Sequence, residues 1–83
     1  MLIALLFVMA DLKVTVAANV RRLRRAKGWT QEDLAERVGL SARYVGQIER
    51  AQASMSVTVL GRLADALKVD AGELVRRARH KTV

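Results

Sequence analysis

Apolar residues recur at helical spacing along most of this chain, and the first regular stripe lies in its first third. Val16, Val20 and Leu23 stand at i, i+4 and i+7, which is the spacing of one buried helix face. Thr15 precedes the stripe and can cap a helix, and a glycine follows it. The pattern therefore predicts a first helix over about residues 16–27.

A second stripe begins after a threonine and ends at a glycine. Thr30 is a good N-cap, and Asp33 stands where a capping box carries Glu or Gln. Gly39 follows the stripe, where a left-handed residue ends a helix without a Cβ clash. The apolar residues of this face are Leu34, Ala35 and Val38. Together these signals predict a short second helix.

The third helix is predicted to begin directly after a tight turn. Ser41 can cap it, and Val45 and Ile48 share one of its sides. The turn over residues 39–41 is too short to let the two helices run antiparallel, so we expect them to meet at a steep angle. This arrangement is a helix-turn-helix unit.

Two more helices are predicted in the C-terminal third. Ser56 can cap a fourth helix over about residues 57–67. Asp70 and Glu73 have the spacing of a capping box for a fifth helix over about residues 71–79. The residues that we expect to face inward from the fourth helix are Val57, Leu60, Ala64 and Leu67. The expected fold class is all-α, with five helices.

Residues 1–10 are wholly apolar and do not continue the helical pattern. The run is shorter than the ~20 residues that span a bilayer, and no basic residue precedes it as in a signal peptide. Either translation begins at Met9 and residues 1–8 are an over-extended start, or the segment packs against the domain or a second subunit. Its composition permits a helix or a strand. We divide the chain into an apolar extension over 1–14 and a helical domain over 15–83.

The composition favours a polyanionic partner over catalysis. Fifteen Lys and Arg residues against eight Asp and Glu give a net charge of +7, with basic clusters within residues 21–27 and 76–81. Such a cluster is also compatible with a solvated face, but beside a helix-turn-helix it favours nucleic acid. The chain has no cysteine, and its one histidine, His80, lies in the basic tail. We expect no catalytic residue, cofactor or metal site.

Three short sequence motifs occur at fixed spacing over the two central helices. They are Thr-Gln-Glu-Asp-Leu-Ala at 30–35, Val-Gly-Leu-Ser at 38–41, and Tyr-Val followed by Ile-Glu-Arg within 44–50. With flanking residues over roughly 16–75, they resemble the phage-repressor/Cro-type helix-turn-helix family. The resemblance implies a compact five-helix repressor-like DNA-binding domain. It also implies binding as a two-fold symmetric dimer to half-sites about one turn of DNA apart.

The resemblance assigns base reading to the second motif helix, which enters the major groove. The family's base-reading positions fall on Ala42, Arg43, Gly46 and Gln47. Arg43 can pair with guanine O6 and N7, Gln47 with adenine N6 and N7, and the Ala42 methyl can contact a thymine methyl. Gly46 offers no side-chain contact, although it would let the helix backbone lie closer to the bases.

The resemblance also implies phosphate contacts and one structural ion pair. The expected phosphate-contacting residues are Arg21, Arg25, Thr30, Gln31, Ser41 and Tyr44. For Tyr44, partial burial against a neighbouring helix is an equal alternative. Arg24 and Glu49 occupy the positions of a partly buried ion pair that fixes the recognition helix. Trp29 is expected to pack in the core with its N–H facing outward.

The chain departs from the family pattern at Ala51, where many members carry glycine, and its 51–56 loop lacks proline. This loop is therefore expected to be tighter or more helical than usual. Candidate dimer surfaces are the apolar N-terminus and the fifth helix. The residues proposed for these surfaces are Leu5, Phe7, Leu74 and Val75.

These observations predict a cytoplasmic, sequence-specific regulator of transcription that binds double-stranded DNA as a homodimer on a two-fold symmetric operator. Residues 44–50 look like the controller proteins of restriction–modification systems, and a small phage-type repressor fits nearly as well. One alternative is an antitoxin-type module that binds a partner protein through the apolar arm and DNA secondarily. Another is peripheral membrane attachment through the arm and the basic first helix, which would show no preference among DNA sequences.

Overall fold

The computed structural model describes the backbone of residues 2–77 and the side chains of residues 2–4 and 12–77. This part of the chain forms five helices and no strand. The helices are α1 (Leu2–Ala26), α2 (Gln31–Val38), α3 (Ala42–Glu49), α4 (Val57–Leu67) and α5 (Ala71–Val75). The all-α prediction is confirmed, and the helix-turn-helix consists of α2 and α3.

One apolar core joins all five helices. Its largest fully buried side chains are Val20, Leu34, Val45, Ile48, Leu63, Leu67 and Leu74. The predicted inner faces of α1, α2 and α3 are confirmed, although Leu23 is only half-buried. Because α3 packs against both α1 and α2, while α2 also packs on α4, the core fixes the orientation of the helix-turn-helix.

The first helix begins much earlier than the apolar stripe predicts. It runs without a break from Leu2 to Ala26, so the predicted start at Val16 and the cap at Thr15 are wrong. The physical reason is that no glycine or proline interrupts this stretch, and all its residues tolerate a helix. The extension is therefore helical rather than a strand. Gly28, at φ 71°, follows the end of the helix as expected.

The fourth helix has the predicted bounds and cap, but one of its predicted inward residues faces solvent. The Ser56 hydroxyl accepts the Val59 N–H at 3.1 Å, which confirms the cap. Val57 is 86% exposed, because the inner face of α4 is centred on Leu63, Ala64 and Leu67. The predicted inward position of Val57 is therefore wrong.

The fifth helix is shorter than predicted and lacks the predicted capping box. It ends at Val75 instead of residue 79, and the Asp70 side chain makes no capping hydrogen bond. Asn19 of α1 accounts for the early end, because its buried Nδ2 donates to the backbone carbonyls of Glu73 (3.1 Å), Leu74 (2.9 Å) and Arg76 (2.9 Å). Because Asn19 already donates hydrogen bonds to these carbonyls, they do not need the backbone N–H groups of a further helical turn as donors.

The loop after α3 makes a left-handed turn at a residue that is not glycine. Ala51 has φ 59°, which places its Cβ in the unfavourable left-handed region. We expect Ala51→Gly to raise the free energy of unfolding by about 0.5–1 kcal/mol, because relief of strain exceeds the added entropy of the unfolded chain. Urea denaturation followed by circular dichroism measures this change.

Ala53→Gly, in the same loop but without a positive φ, is the matched control. It removes the same methyl group with no strain to relieve, so it should lower the free energy of unfolding. If both variants lowered the free energy of unfolding equally, the inference of strain at Ala51 would be wrong.

Candidate nucleic-acid interface

The start of α2 is fixed by a reciprocal pair of hydrogen bonds. The Thr30 Oγ1 accepts the Asp33 backbone N–H at 3.0 Å, and the Asp33 Oδ2 accepts the Thr30 backbone N–H at 2.9 Å. The hydrogen bonds that the Thr30 backbone N–H and the Thr30 side chain make to the Asp33 carboxylate lower the pKa of Asp33. The predicted capping box is therefore confirmed.

The turn between α2 and α3 follows its sequence signals. Gly39 is left-handed at φ 77°, and its N–H donates to the Ala35 carbonyl. The Ser41 Oγ then accepts the Tyr44 backbone N–H at 3.0 Å and caps α3. Both helix ends are therefore fixed within three residues, and the start of α2 lies against the second half of α3, where Gln31 bonds Glu49.

The predicted ion pair between Arg24 and Glu49 is present and buried. Arg24 Nε lies 2.6 Å from Glu49 Oε2, and Arg24 Nη2 lies 3.0 Å from Glu49 Oε1. Arg24 Nη1 also donates to the Trp29 carbonyl at 2.7 Å. The hydrogen bond to Glu49 raises the pKa of Arg24, against the opposing effect of burial. This bidentate contact ties the end of α3 to α1.

Two residues predicted to contact phosphate are also attached to Glu49. Gln31 Nε2 donates to Glu49 Oε1 at 3.1 Å, and Arg21 Nη1 donates to the Glu49 backbone carbonyl at 3.1 Å. Arg21 thus places positive charge at the C-terminal end of α3, where the helix dipole favours it. The sequence analysis predicts these residues as separate phosphate contacts, whereas the fold brings both to Glu49, Gln31 at its carboxylate and Arg21 at its backbone carbonyl.

The outer face of α3 carries the predicted base-reading residues. Arg43 is exposed, Ala42 and Gln47 are half-buried, and Gly46 is buried. Arg43 and Gln47 therefore do not belong to the core. Arg25, the remaining predicted phosphate contact on α1, is exposed. An exposed guanidinium and a nearby amide give this face donors and acceptors for the edges of bases.

The two large aromatic residues of the site support the fold. The Tyr44 hydroxyl donates to the Ser54 carbonyl at 3.2 Å, and its ring is half-buried, as in the alternative of partial burial. Trp29 packs against the core as predicted, while Arg37 and Lys27 lie over its ring at 4.2 and 5.3 Å from the centroid. Tyr44 therefore connects α3 to the following loop.

The candidate dimer residues are divided between core and surface. Leu74 is fully buried in its own protomer, so it cannot contact a partner, and its assignment to a dimer surface is wrong. Val75 is 40% exposed and lines an open groove of about 220 Å³ between α1 and the 53–60 segment, together with Leu12 and Met55. The side chains of Leu5 and Phe7, like His80, lie outside the described residues.

The described helices do not include a membrane-spanning candidate. Within residues 2–77, no helix combines the length and the apolar character needed to cross a bilayer.

Comparison with known proteins identifies the same unit. The HTH_3 helix-turn-helix family model matches residues 20–74. The uncharacterised HTH-type transcriptional regulator y4dJ of Sinorhizobium fredii is 43% identical over 65 residues, which is 78% of this chain and 84% of that protein. The control protein C.SmaI of Serratia marcescens is 37% identical over 67 residues, which is 81% of this chain and 80% of that protein.

Solved structures agree with these relatives. The restriction–modification controller protein C.AhdI of Aeromonas hydrophila has a TM-score of 0.72 at 42% identity, covering 75% of this chain and 94% of that one. The hypothetical transcription factor NHTF from Neisseria has a TM-score of 0.77 at 37% identity, covering 81% of this chain and 75% of that one. These similarities do not favour the alternative of an antitoxin-type interaction module. By its matched segment, its fold and its relatives, the chain belongs to the HTH_3 family of helix-turn-helix transcriptional regulators.

Proposed function

We propose that this protein regulates transcription by binding a specific sequence of double-stranded DNA as a homodimer on a two-fold symmetric operator. The observation that carries the proposal is the outer face of α3, where Arg43 and Gln47 are accessible on a helix whose inner side is fixed by the core. An α-helix with such a face fits the major groove of B-DNA, where each base pair presents a distinct set of donors and acceptors.

Each side chain of this face has a base-reading role in the proposal. Arg43 donates two hydrogen bonds to guanine O6 and N7, and Gln47 exchanges two with adenine N6 and N7. The Ala42 methyl lies at the start of α3 and contacts a thymine methyl. Sequence selectivity therefore depends mainly on two long polar side chains.

Contacts to the DNA backbone give affinity and register rather than selectivity. Arg25 is exposed on α1 and free to approach a phosphate. The Ser41 hydroxyl accepts a backbone N–H group and retains a proton for a phosphate oxygen, and the Thr30 side chain is exposed at the start of α2. Arg21 and Gln31 are both hydrogen-bonded to Glu49. We leave Tyr44 out, because its hydroxyl proton is donated to Ser54.

The homodimer is supported by the small footprint of one recognition helix and by apolar surface left exposed on one protomer. Two protomers of charge +7 repel each other, so a mainly apolar contact is needed to offset the repulsion. The groove lined by Leu12, Met55, Leu60 and Val75 is mainly apolar, and Lys13 is the one charged residue among the described residues that line it. We propose this surface as the dimer interface and the bacterial cytoplasm as the site of action. Sedimentation at several concentrations measures the oligomeric state.

Selection of bound oligonucleotides from a random pool, at fixed salt, tests the proposal. We expect a two-fold symmetric consensus for the unmodified protein. Arg43→Ala should lose preference at one base pair per half-site, with a loss of discrimination of about 1–3 kcal/mol. The reason is that the guanidinium contacts a base and not the backbone.

Arg25→Ala is the matched control, since it also removes one exposed guanidinium. It should weaken binding to all sequences alike. It should also reduce the slope of the logarithm of affinity against the logarithm of salt concentration by about one. If the two variants had the same effect on the consensus, the base-reading role of Arg43 would be wrong. If the unmodified protein selected no consensus, the proposed function itself would fail.

A further inference from the structure

Arg50 is an exposed cation next to the recognition helix that has no role in the function proposed above. It is the first residue after α3 and lies seven positions after Arg43. Residues at i and i+7 of a helix share one face, with i+3 and i+4 between them. Arg50 therefore continues the stripe of Arg43, Gly46 and Gln47, which is the face proposed to enter DNA.

The guanidinium of Arg50 folds back along α3 and covers Gly46. A Cβ built on Gly46 would lie 3.0 Å from Arg50 Nη1 and 3.7 Å from Arg50 Cζ. The same Cβ would lie 3.5 Å from Gln31 Oε1, so a side chain at this position would be crowded and would push the guanidinium from its place. The missing side chain of Gly46 lets Arg50 place its charge one turn nearer the N-terminal end of α3, the end that leads into the major groove.

The loop after α3 holds this guanidinium in one orientation. Arg50 Nε donates to Gln52 Oε1 at 3.1 Å, and the Gln52 backbone N–H donates to the Gln47 carbonyl at 2.8 Å. The left-handed turn at Ala51 brings Gln52 back beside α3. Because Nε is occupied, the outward donors of Arg50 are its two terminal amino groups. A pair of parallel N–H donors is the arrangement that guanine O6 and N7 accept.

We propose that Arg50 is a further specificity-determining residue, which reads a guanine beside the base pair read by Gln47. Gly46 makes room for it, and Gln52 positions it. This inference rests on the proposed function, because it requires α3 to lie in the major groove. It replaces the expectation that Gly46 serves only to bring the helix backbone closer to the bases.

A double-mutant cycle tests the proposal. The random-pool selection and the affinity for the selected operator are measured for the unmodified protein, Arg50→Ala, Gly46→Ala and the double variant. Arg50→Ala should lose preference for guanine at one additional position per half-site and weaken binding roughly 5- to 150-fold. Gly46→Ala should weaken the same preference, because its Cβ pushes against the guanidinium and shifts it. The double variant should bind no more weakly than Arg50→Ala alone.

The chain offers controls for folding and for net charge. Alanine favours a helix more than glycine does, so Gly46→Ala should retain the fold, which circular dichroism and thermal unfolding check. Arg62→Ala removes one exposed cation from α4, which packs on α1, α2 and α5. It should leave the consensus unchanged. Any preference lost with Arg50 and kept with Arg62 then belongs to the position of Arg50 and not to total charge.

The remaining outcomes distinguish this inference from the proposed function. A uniform loss across all sequences with Arg50→Ala would make Arg50 a phosphate contact and overturn the inference. A further loss on adding Gly46→Ala to Arg50→Ala would return Gly46 to a direct role in approach to DNA and would overturn it as well. Either result leaves the proposed function intact, since the unmodified protein would still select its operator.

Discussion

Glu49→Ala should lower the free energy of unfolding by about 3–5 kcal/mol, because it leaves the buried guanidinium of Arg24 without its counter-charge. The pair is almost fully enclosed, with 10% of the Arg24 side chain and 2% of the Glu49 side chain exposed. The substitution also removes the acceptor of the Gln31 amide. The total free energy of unfolding of a small domain is about 5–15 kcal/mol, so this loss should be evident in urea denaturation and in the thermal midpoint.

Glu36→Ala is the control, since it removes a carboxylate from the exposed side of α2. It should change the free energy of unfolding by no more than about 0.5 kcal/mol. Replacing both partners, as Arg24→Met with Glu49→Leu, should recover part of the loss, because no isolated charge is then buried. A cost for Glu49→Ala no larger than that of Glu36→Ala would contradict the role of the pair.

Asn19→Ala should lower the free energy of unfolding by about 2–3 kcal/mol and should loosen α5 in particular. Its amide donates to three backbone carbonyls, two within α5 and one directly after it, and these carbonyls would lose this partner inside the protein. Amide hydrogen exchange measured by NMR should show loss of protection in α5 before α2 and α3. Urea denaturation gives the overall loss.

Asn19→Asp separates hydrogen bonding from packing. Aspartate has the shape of asparagine but no N–H donors, and its charge would face carbonyl oxygens. It should therefore destabilise the protein at least as much as Asn19→Ala does. An Asn19→Asp variant as stable as the unmodified protein would show that the three hydrogen bonds do not hold α5.

The helix-turn-helix could be predicted from sequence because its signals are local. Thr30, Asp33, Gly39 and Ser41 each determine the backbone within a few residues of themselves, and the structure places all four in the predicted caps and turn. The apolar stripes of α2 and α3 are equally local, since an apolar residue recurs on the core-facing side at each turn of the helix. The Arg24–Glu49 pair was predicted only through the family resemblance, because its partners lie 25 residues apart.

The differences from prediction have separate physical causes, and only the end of α5 depends on a contact between distant parts of the chain. The end of α5 depends on Asn19, which lies more than 50 residues earlier and reads in the sequence as an ordinary polar residue. The start of α1 differs from the prediction because the apolar pattern changes near Thr15, while nothing at that residue breaks a helix. The proximity of Arg50 to Gly46 depends on a side-chain rotamer, which no sequence pattern specifies.

The anchoring of Glu49 from three directions has a consequence for how such a protein can change its target. The groups that hold α3 in place come from Arg21, Arg24 and Gln31, and they meet on the side that faces the rest of the protein. Arg43 and Gln47 take no part in that attachment. Substitutions at Arg43 and Gln47 can therefore change the operator sequence without disturbing the contacts that hold α3. The fold is for this reason suited to rapid divergence of DNA specificity and to its redesign.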